Sequence, residues 1–194
     1  MNEIKKLSEL DETRVNQAVG VFVEGFYFTL LNISTDKEKL HKLFKNSLDY
    51  NMTYACLQDG EAVGFLGLAD YQKRPAKLNR EIFIEIMVGF AGKLNYKAAS
   101  SALEQPKPID PGEIYIDYLA TSPYHRSRGI GTQLIEFVRG TLGYKHIELE
   151  TYAKNTKAIA LYERLGFKVT RVKKSFIMRI KGLGDMVYMR LDAE

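Results

Sequence analysis

Little in this 194-residue sequence points to disulfides, metal clusters or membranes. Cys56 is the single cysteine, so no internal disulfide can form, and a reducing cytoplasm is the natural setting. It lies in the apolar run TYACL, where a small core residue is the expected role rather than a nucleophile. No apolar run reaches the ~18 residues that a membrane-spanning helix requires. The start, MNEIKKLSEL, is too polar for a secretory signal. His41, His125 and His146 stand far apart and lack ligand spacing, so no metal is expected. Repeats, low-complexity tracts and linkers are missing too, and the length suits one domain over 1–194. The formal net charge is +4 and the pI is near 9.0. Basic and acidic residues nevertheless interleave along the chain, with no helix-turn-helix and no RNA-binding aromatic signature. A solvated surface, or attraction to an anionic small molecule, accounts for that balance, and neither nucleic acid nor a membrane is an expected partner.

What is present is a succession of readable elements. Beyond Asp11, residues Val15, Ala18, Val19, Phe22, Val23 and Phe26 recur at helical spacing. Leu40, Leu43, Phe44 and Leu48 do so after Asp36, a good N-cap residue. MTYACLQ and AVGFLGLA read as an antiparallel strand pair joined across Asp59-Gly60, a tight-turn dipeptide. NREIFIEIMVGFAGKL reads as one helix, because Phe83, Ile86, Met87, Phe90 and Leu94 keep helical spacing for longer than most strands run. QPKPIDPG, with three of the five prolines, breaks the chain as a loop. Then come strand EIYIDYLAT, helix IGTQLIEFVR, strand HIELETY, helix NTKAIALYERL stopping at Gly166, strand FKVTRV and strand DMVYMRL. That alternation predicts a mixed α/β sheet with a parallel pair near its centre and a right-handed crossover.

Between EIYIDYLAT and the helix after it stands YHRSRGIGT. A P-loop needs Lys-Ser or Lys-Thr after its second glycine, and here Thr132 and Gln133 follow Gly131. A dinucleotide fingerprint needs a third glycine where Leu134 stands. Neither reading survives. Gly129 and Gly131 still let the backbone come close to a ligand, and a helix amino end adds partial positive charge. Arg126 and Arg128 add forked donors that suit phosphate oxygens. The bland alternative is a basic turn that merely starts a helix.

The surroundings of the loop shift the balance. LATSPYHRSRGIGTQLIEFV resembles motif A of the GNAT superfamily of acyl-CoA-dependent N-acetyltransferases, through Pro123, Arg126, Gly129 and Gly131. Downstream, NTKAIALYERLGF resembles motif B through Asn155, Ala158, Tyr162, Gly166 and Phe167. The resemblance is strong over 113–172 and only topological over the N-terminal half; Thr156 stands where a proline often follows the motif B asparagine. It implies a single-domain α/β fold: a mixed, mostly antiparallel sheet with a splayed central parallel pair, EIYIDYLAT and HIELETY, and helices on both faces. It implies transfer of acetyl from acetyl-CoA to a primary amine of a small molecule or peptide by direct attack. A non-catalytic acyl-CoA-binding or sensing module on the same fold is the alternative.

For the residues, the resemblance implies that Leu119, Ala120 and Thr121 bind the pantetheine arm by backbone. It gives Arg126, Ser127, Arg128, Gly129, Ile130, Gly131 and Thr132 the diphosphate, with Asn155, Ala158 and Tyr162 beside the cofactor. Tyr162 stands where the family carries its general acid, although Ala158, Leu161, Tyr162 and Leu165 also form one helical stripe and Tyr162 can equally be core. The base is open. Strand alternation puts Glu113, Tyr115, Asp117 and Leu119 on one face and Ile114, Ile116, Tyr118 and Ala120 on the other. A central strand covered on both sides should be apolar, so Asp117 is either paired or faces the substrate as a proton acceptor, and Glu113 is the second candidate. Acceptor specificity is expected from the first two helices, the stretch 80–103 and the turn KKSFIMRIKGLGD, with Tyr27, Phe28 and Tyr71 as either pocket lining or core. Dimerisation is common among such enzymes; these residues do not demonstrate it.

Overall fold

The computed structural model describes residues 2–87 and 90–192, with backbone alone at 90–94. The chain begins with strand β1 (Glu3–Lys6) and helix α1 (Glu12–Leu30), whose first turn is closed by Asp11 accepting from the Arg14 N–H. Helix α2 (Lys37–Lys45) is capped in the same way, with Asp36 accepting from the Glu38 and Lys39 amides. Strands β2 (Thr53–Gln58) and β3 (Glu61–Ala69) form the expected hairpin, with Asp59 at φ 52 and Gly60 at φ 83 in its turn. Helices α3 (Arg80–Ile86) and α4 (Phe90–Glu104) replace the single helix expected there, because Met87 leaves helical geometry at φ −102, ψ 72. The side chains of Phe90 and Leu94 lie outside the described residues.

The second half follows the sequence closely: β4 (Ile114–Thr121), α5 (Ile130–Glu136), β5 (His146–Tyr152), α6 (Thr156–Arg164), β6 (Lys168–Lys173), a short α7 (Phe176–Ile180) and β7 (Met186–Asp192). From sequence, β1 and α7 carry no assignment. The four residues EIKK hold only one apolar side chain, and α7 is a five-residue turn standing on the Ser175 cap.

Among the described residues seven strands form one sheet in the order β1-β2-β3-β4-β5-β7-β6, and β4–β5 is a parallel pair. Two apolar clusters cover its faces. Phe22 of α1, Phe44 of α2 and Phe65 of β3 meet on one side, with ring centroids 4.8–5.1 Å apart from Phe22. Ile130, Leu134 and Ile135 of α5 pack with Leu66, Ile116 and Leu149 on the other. Burying a side chain of this size stabilises by about 1.5–3 kcal/mol, so these clusters set the position of everything the sheet carries. Cys56 is among the fully buried residues, and burial pushes its thiol up to about 11, as befits a core residue. Among the described residues no helix is long and apolar enough to cross a membrane.

Candidate active site

One irregularity in β4 shapes the site. Gly67 stands opposite Tyr118 and Leu68 opposite Ile116, so Asp117 is an extra residue, a β-bulge. Ile114 and Ile116 therefore pack with α5, whereas Tyr118 and Ala120 pack with α1 on the opposite face. Unbroken alternation had put all four on one face; the bulge corrects it.

Bulges bend a strand and raise its twist. The β4–β5 ladder ends at the pair Ile116↔Leu149. Beyond it β4 continues along β3 to Thr121, and β5 continues along β7 to Tyr152. The parallel pair thus forks at Asp117 and Glu150, leaving facing edges with no strand between them.

A cleft of about 810 Å³ opens beyond the fork. Its walls include Leu119, Ala120 and Thr121 of β4, then Arg126, Ser127, Gly129, Ile130, Gly131 and Thr132, and Asn155 and Ala158 from the start of α6. Arg128 is exposed and off this lining, and Tyr162 lies in the adjoining pocket instead. Ser127 at φ 61 and Gly129 at φ 78 are left-handed, which turns the chain into α5. A Cβ on Gly129 would meet nothing closer than 4.0 Å, so its glycine is there for conformation. Gly131 also serves packing, since a Cβ there would stand 3.0 Å from the Leu161 side chain of α6.

The amides of Ile130, Gly131 and Thr132 open α5 with no carbonyl before them in the helix, and among the described residues none bonds to a side chain. Arg126, Lys157 and Arg164 line the cleft together with His125, and among the described residues no acidic one does. Unclaimed amides, three permanent cations and a strand-wide gap fit a diphosphate carrying an extended polar arm, as in coenzyme A.

A second pocket, of about 490 Å³, adjoins the first and shares Gly25, Leu119 and Asn155 with it. Gly25 is required there: a Cβ would fall 2.5 Å from the Ala120 Cβ, where α1 crosses β4. Tyr162 reaches this pocket from α6 with its ring beside Phe167. Burial pushes its phenol up to about 12, and among the described residues its hydroxyl has no hydrogen-bond partner. It is therefore both a core side chain and a protonated donor at the pocket wall. Tyr118, whose buried hydroxyl has no partner among the described residues, also belongs to this wall.

Two carboxylates line the pocket, Asp117 and Glu150. The Asp117 side chain is 2% exposed and saturated: Arg74 donates Nε to Oδ2 at 2.7 Å and Nη2 to Oδ1 at 2.6 Å, and the Lys107 ammonium lies 3.3 Å from Oδ1. Of the two roles open to Asp117 from sequence, pairing is the one its contacts satisfy. Glu113 sits at the other end of β4, outside both cavities, with Oε1 2.8 Å from Arg190 Nη2. It is not positioned to reach an acceptor. Glu150 is 30% exposed, 3.0 Å from Lys107, and stands on the pocket wall where β5 leaves β4.

Glu150, Arg74 and Lys107 had no role from sequence. HIELETY is expected to be a central strand, and the rule that drew attention to Asp117, an acid on a covered central strand, applies equally to Glu150. Of the expected acceptor residues, Phe28 lines the pocket. Tyr27 instead donates its hydroxyl to the Thr35 carbonyl, and Tyr71 is largely exposed.

Comparison with known proteins agrees with this geometry. A family model described as Acetyltransferase (GNAT) family matches residues 26–167. The [Ribosomal protein bS18]-alanine N-acetyltransferase of Escherichia coli (strain K12) is 31% identical over 100 residues, covering 50% of this chain and 66% of the relative, just under two thirds of its length. Among solved structures, an N-acetyltransferase from Staphylococcus aureus Mu50 superposes with a TM-score of 0.61 at 15% identity, covering 97% of this chain and 100% of the other. A chain of the NatC complex bound to Gag peptide and CoA gives 0.56 at 16% identity, covering 100% and 99%. Both share the fold.

Proposed function

Since the chain belongs to the GNAT acetyltransferase family, whose donor is acetyl-CoA, we propose that it acetylates a primary amine of a peptide or small molecule at the fork of β4 and β5. The observation that carries this reading is the junction of two unlike spaces. A cleft lined by cations and, among the described residues, by no acid opens past Gly25, Leu119 and Asn155 into a pocket lined by Asp117, Glu150 and the Tyr162 phenol. Residues 1–194 serve this as one N-acetyltransferase domain, and the lone buried Cys56 suits a reducing cytoplasm.

Bound acetyl-CoA supplies an acetyl group activated as a thioester. Arg126 and the amides of Gly129 to Thr132 would hold its diphosphate, and the open edge of β4 at Leu119–Thr121 would hydrogen-bond its arm. An alkylammonium with a pKa near ~10.4 must lose a proton before its nitrogen can attack. Glu150 takes that proton, freeing the lone pair that forms the C–N bond as the C–S bond breaks. Tyr162, held neutral by burial, gives its proton to the departing sulfur. The second proton leaving nitrogen restores the phenol, and Glu150 releases its own to water. Asp117 holds the bulge through its two hydrogen bonds from Arg74.

The named acceptor of the curated relative is an alanine of a ribosomal protein, so peptides with a free α-amine lead the acceptor panel, beside amino acids, polyamines, aminoglycosides and lysine peptides. The test is release of free thiol from acetyl-CoA. Amine-dependent release with at least one class supports the reading. Tight acetyl-CoA binding with no release from any class returns the chain to the binding-module alternative, which has no use for Glu150 beside Tyr162.

A further inference from the structure

Lys107 stands between Pro106 and Pro108 in the loop that follows α4. That loop is pinned: two residues on, Ile109 packs into a small buried cluster with Ala69 and Tyr115. Its side chain is 10% exposed and enters the sheet at the fork. There the ammonium lies 3.3 Å from Asp117 Oδ1, 3.0 Å from Glu150 Oε1 and 4.3 Å from the centroid of the Tyr115 ring. Asp117 and Glu150 are the residues directly after the last β4–β5 pair, Ile116↔Leu149. One cation therefore bridges the two strands at the point where their ladder stops.

The charges around it divide cleanly. Asp117 already has a bidentate partner in Arg74. Glu150 has none besides Lys107: among the described residues no other cation is in ion-pair contact with it. The other groups facing Glu150 are Tyr115 and Asp117 of β4, Tyr152 of β5, Tyr188 of β7 with Arg171 of β6 over its ring at 4.1 Å, and Arg74. Burial raises all three of those tyrosines, so they remain neutral and add no competing charge at neutral pH.

We propose that Lys107 is a positioning residue for proton transfer: it holds the Glu150 carboxylate turned to the acceptor, at a fork whose two arms it ties together. This rests on the reading of Glu150 as the proton acceptor. Proline on either side makes the arrangement effective, because a restricted loop delivers the flexible lysine stem to one place.

The experiment compares kcat and KM of wild type, Glu150→Gln, Lys107→Met and Lys107→Arg, with acetyl-CoA affinity measured calorimetrically and folding checked by thermal melts. Lys107→Met should lower kcat about tenfold while KM for the amine changes by less than twofold, since a carboxylate that has lost its tie is no longer aimed at the bound amine. Acetyl-CoA affinity should stay within twofold, and Lys107→Arg should recover most of kcat. Lys107→Gln, which keeps a donor without the charge, gives the same reading if the methionine variant does not fold. An undiminished kcat in a folded, uncharged variant, beside an inactive Glu150→Gln, overturns the role of Lys107 alone. An active Glu150→Gln overturns the Glu150 reading first, and Lys107 with it.

Discussion

At the end of the cleft that the proposed function gives to the donor, seven consecutive residues, Arg126 to Thr132, bring a left-handed turn, a helix amino end and a cation. At the acceptor end Arg74, Lys107, Asp117, Glu150 and Tyr162 come from five separate stretches and meet through side chains. The donor end is local and made largely of backbone; the acceptor end exists only once the sheet has formed and β4 has bulged. On the proposed function a backbone cradle would bind the same group whatever the acceptor, whereas side chains from separate strands, helices and loops would set the chemistry and the choice of amine. Changes at one end should therefore move affinity for acetyl-CoA, and changes at the other should move turnover.

The largest break in that division is expected from Glu150→Gln. Loss of a positioned base should lower kcat by about 10²–10⁴-fold with acetyl-CoA affinity unchanged; thiol-release kinetics beside calorimetry checks both halves. Tyr162→Phe comes next, with kcat down about tenfold or more and again no change in affinity. The phenol also predicts a stability difference. Its pKa of about 12 in the folded chain lies above the ~10 of an unfolded tyrosine, so the unfolded chain loses its proton first as pH rises. The stabilisation is full below pH ~10 and lost between there and about 12, and denaturant melts of wild type against Tyr162→Phe should converge or cross over that interval.

At the donor end Gly129→Val should weaken acetyl-CoA binding about tenfold, because a β-branched residue resists φ 78 and misaims the amides after it. Its kcat at saturating donor should be near normal. Arg126→Ala should cost a few-fold in affinity, fading as salt is raised. Arg128→Ala, at a position off the cleft lining, should change neither quantity by twofold. A large affinity loss there would mean that the loop closes further around its ligand than its present shape allows.

How much of this was legible in sequence follows the same line. Helices α1 and α2, the β2–β3 hairpin and everything from β4 to α6 are visible because their signals are local: Asp11 and Asp36 as caps, Asp59-Gly60 as a turn, apolar spacing between them. The donor loop is visible for the same reason. The split between α3 and α4 is not, because an unbroken apolar period continues across Met87. The bulge at Asp117 is invisible since it depends on the pairing of β4 with Gly67 and Leu68. Without the bulge, Tyr118 and Ala120 fall on the wrong face, and the fork that isolates Glu150 has no cause. Lys107 is legible only as part of a proline-rich loop, and only the folded sheet carries it to two carboxylates.

The most direct measurement is a crystal structure of the chain with coenzyme A. The diphosphate should sit on the amides of residues 129–132 beside Arg126, the arm should run between the separated ends of β4 and β5, and the thiol should emerge near Tyr162 and Glu150. Coenzyme A bound elsewhere, or a β4–β5 ladder closed past Ile116 and Leu149, would contradict the account.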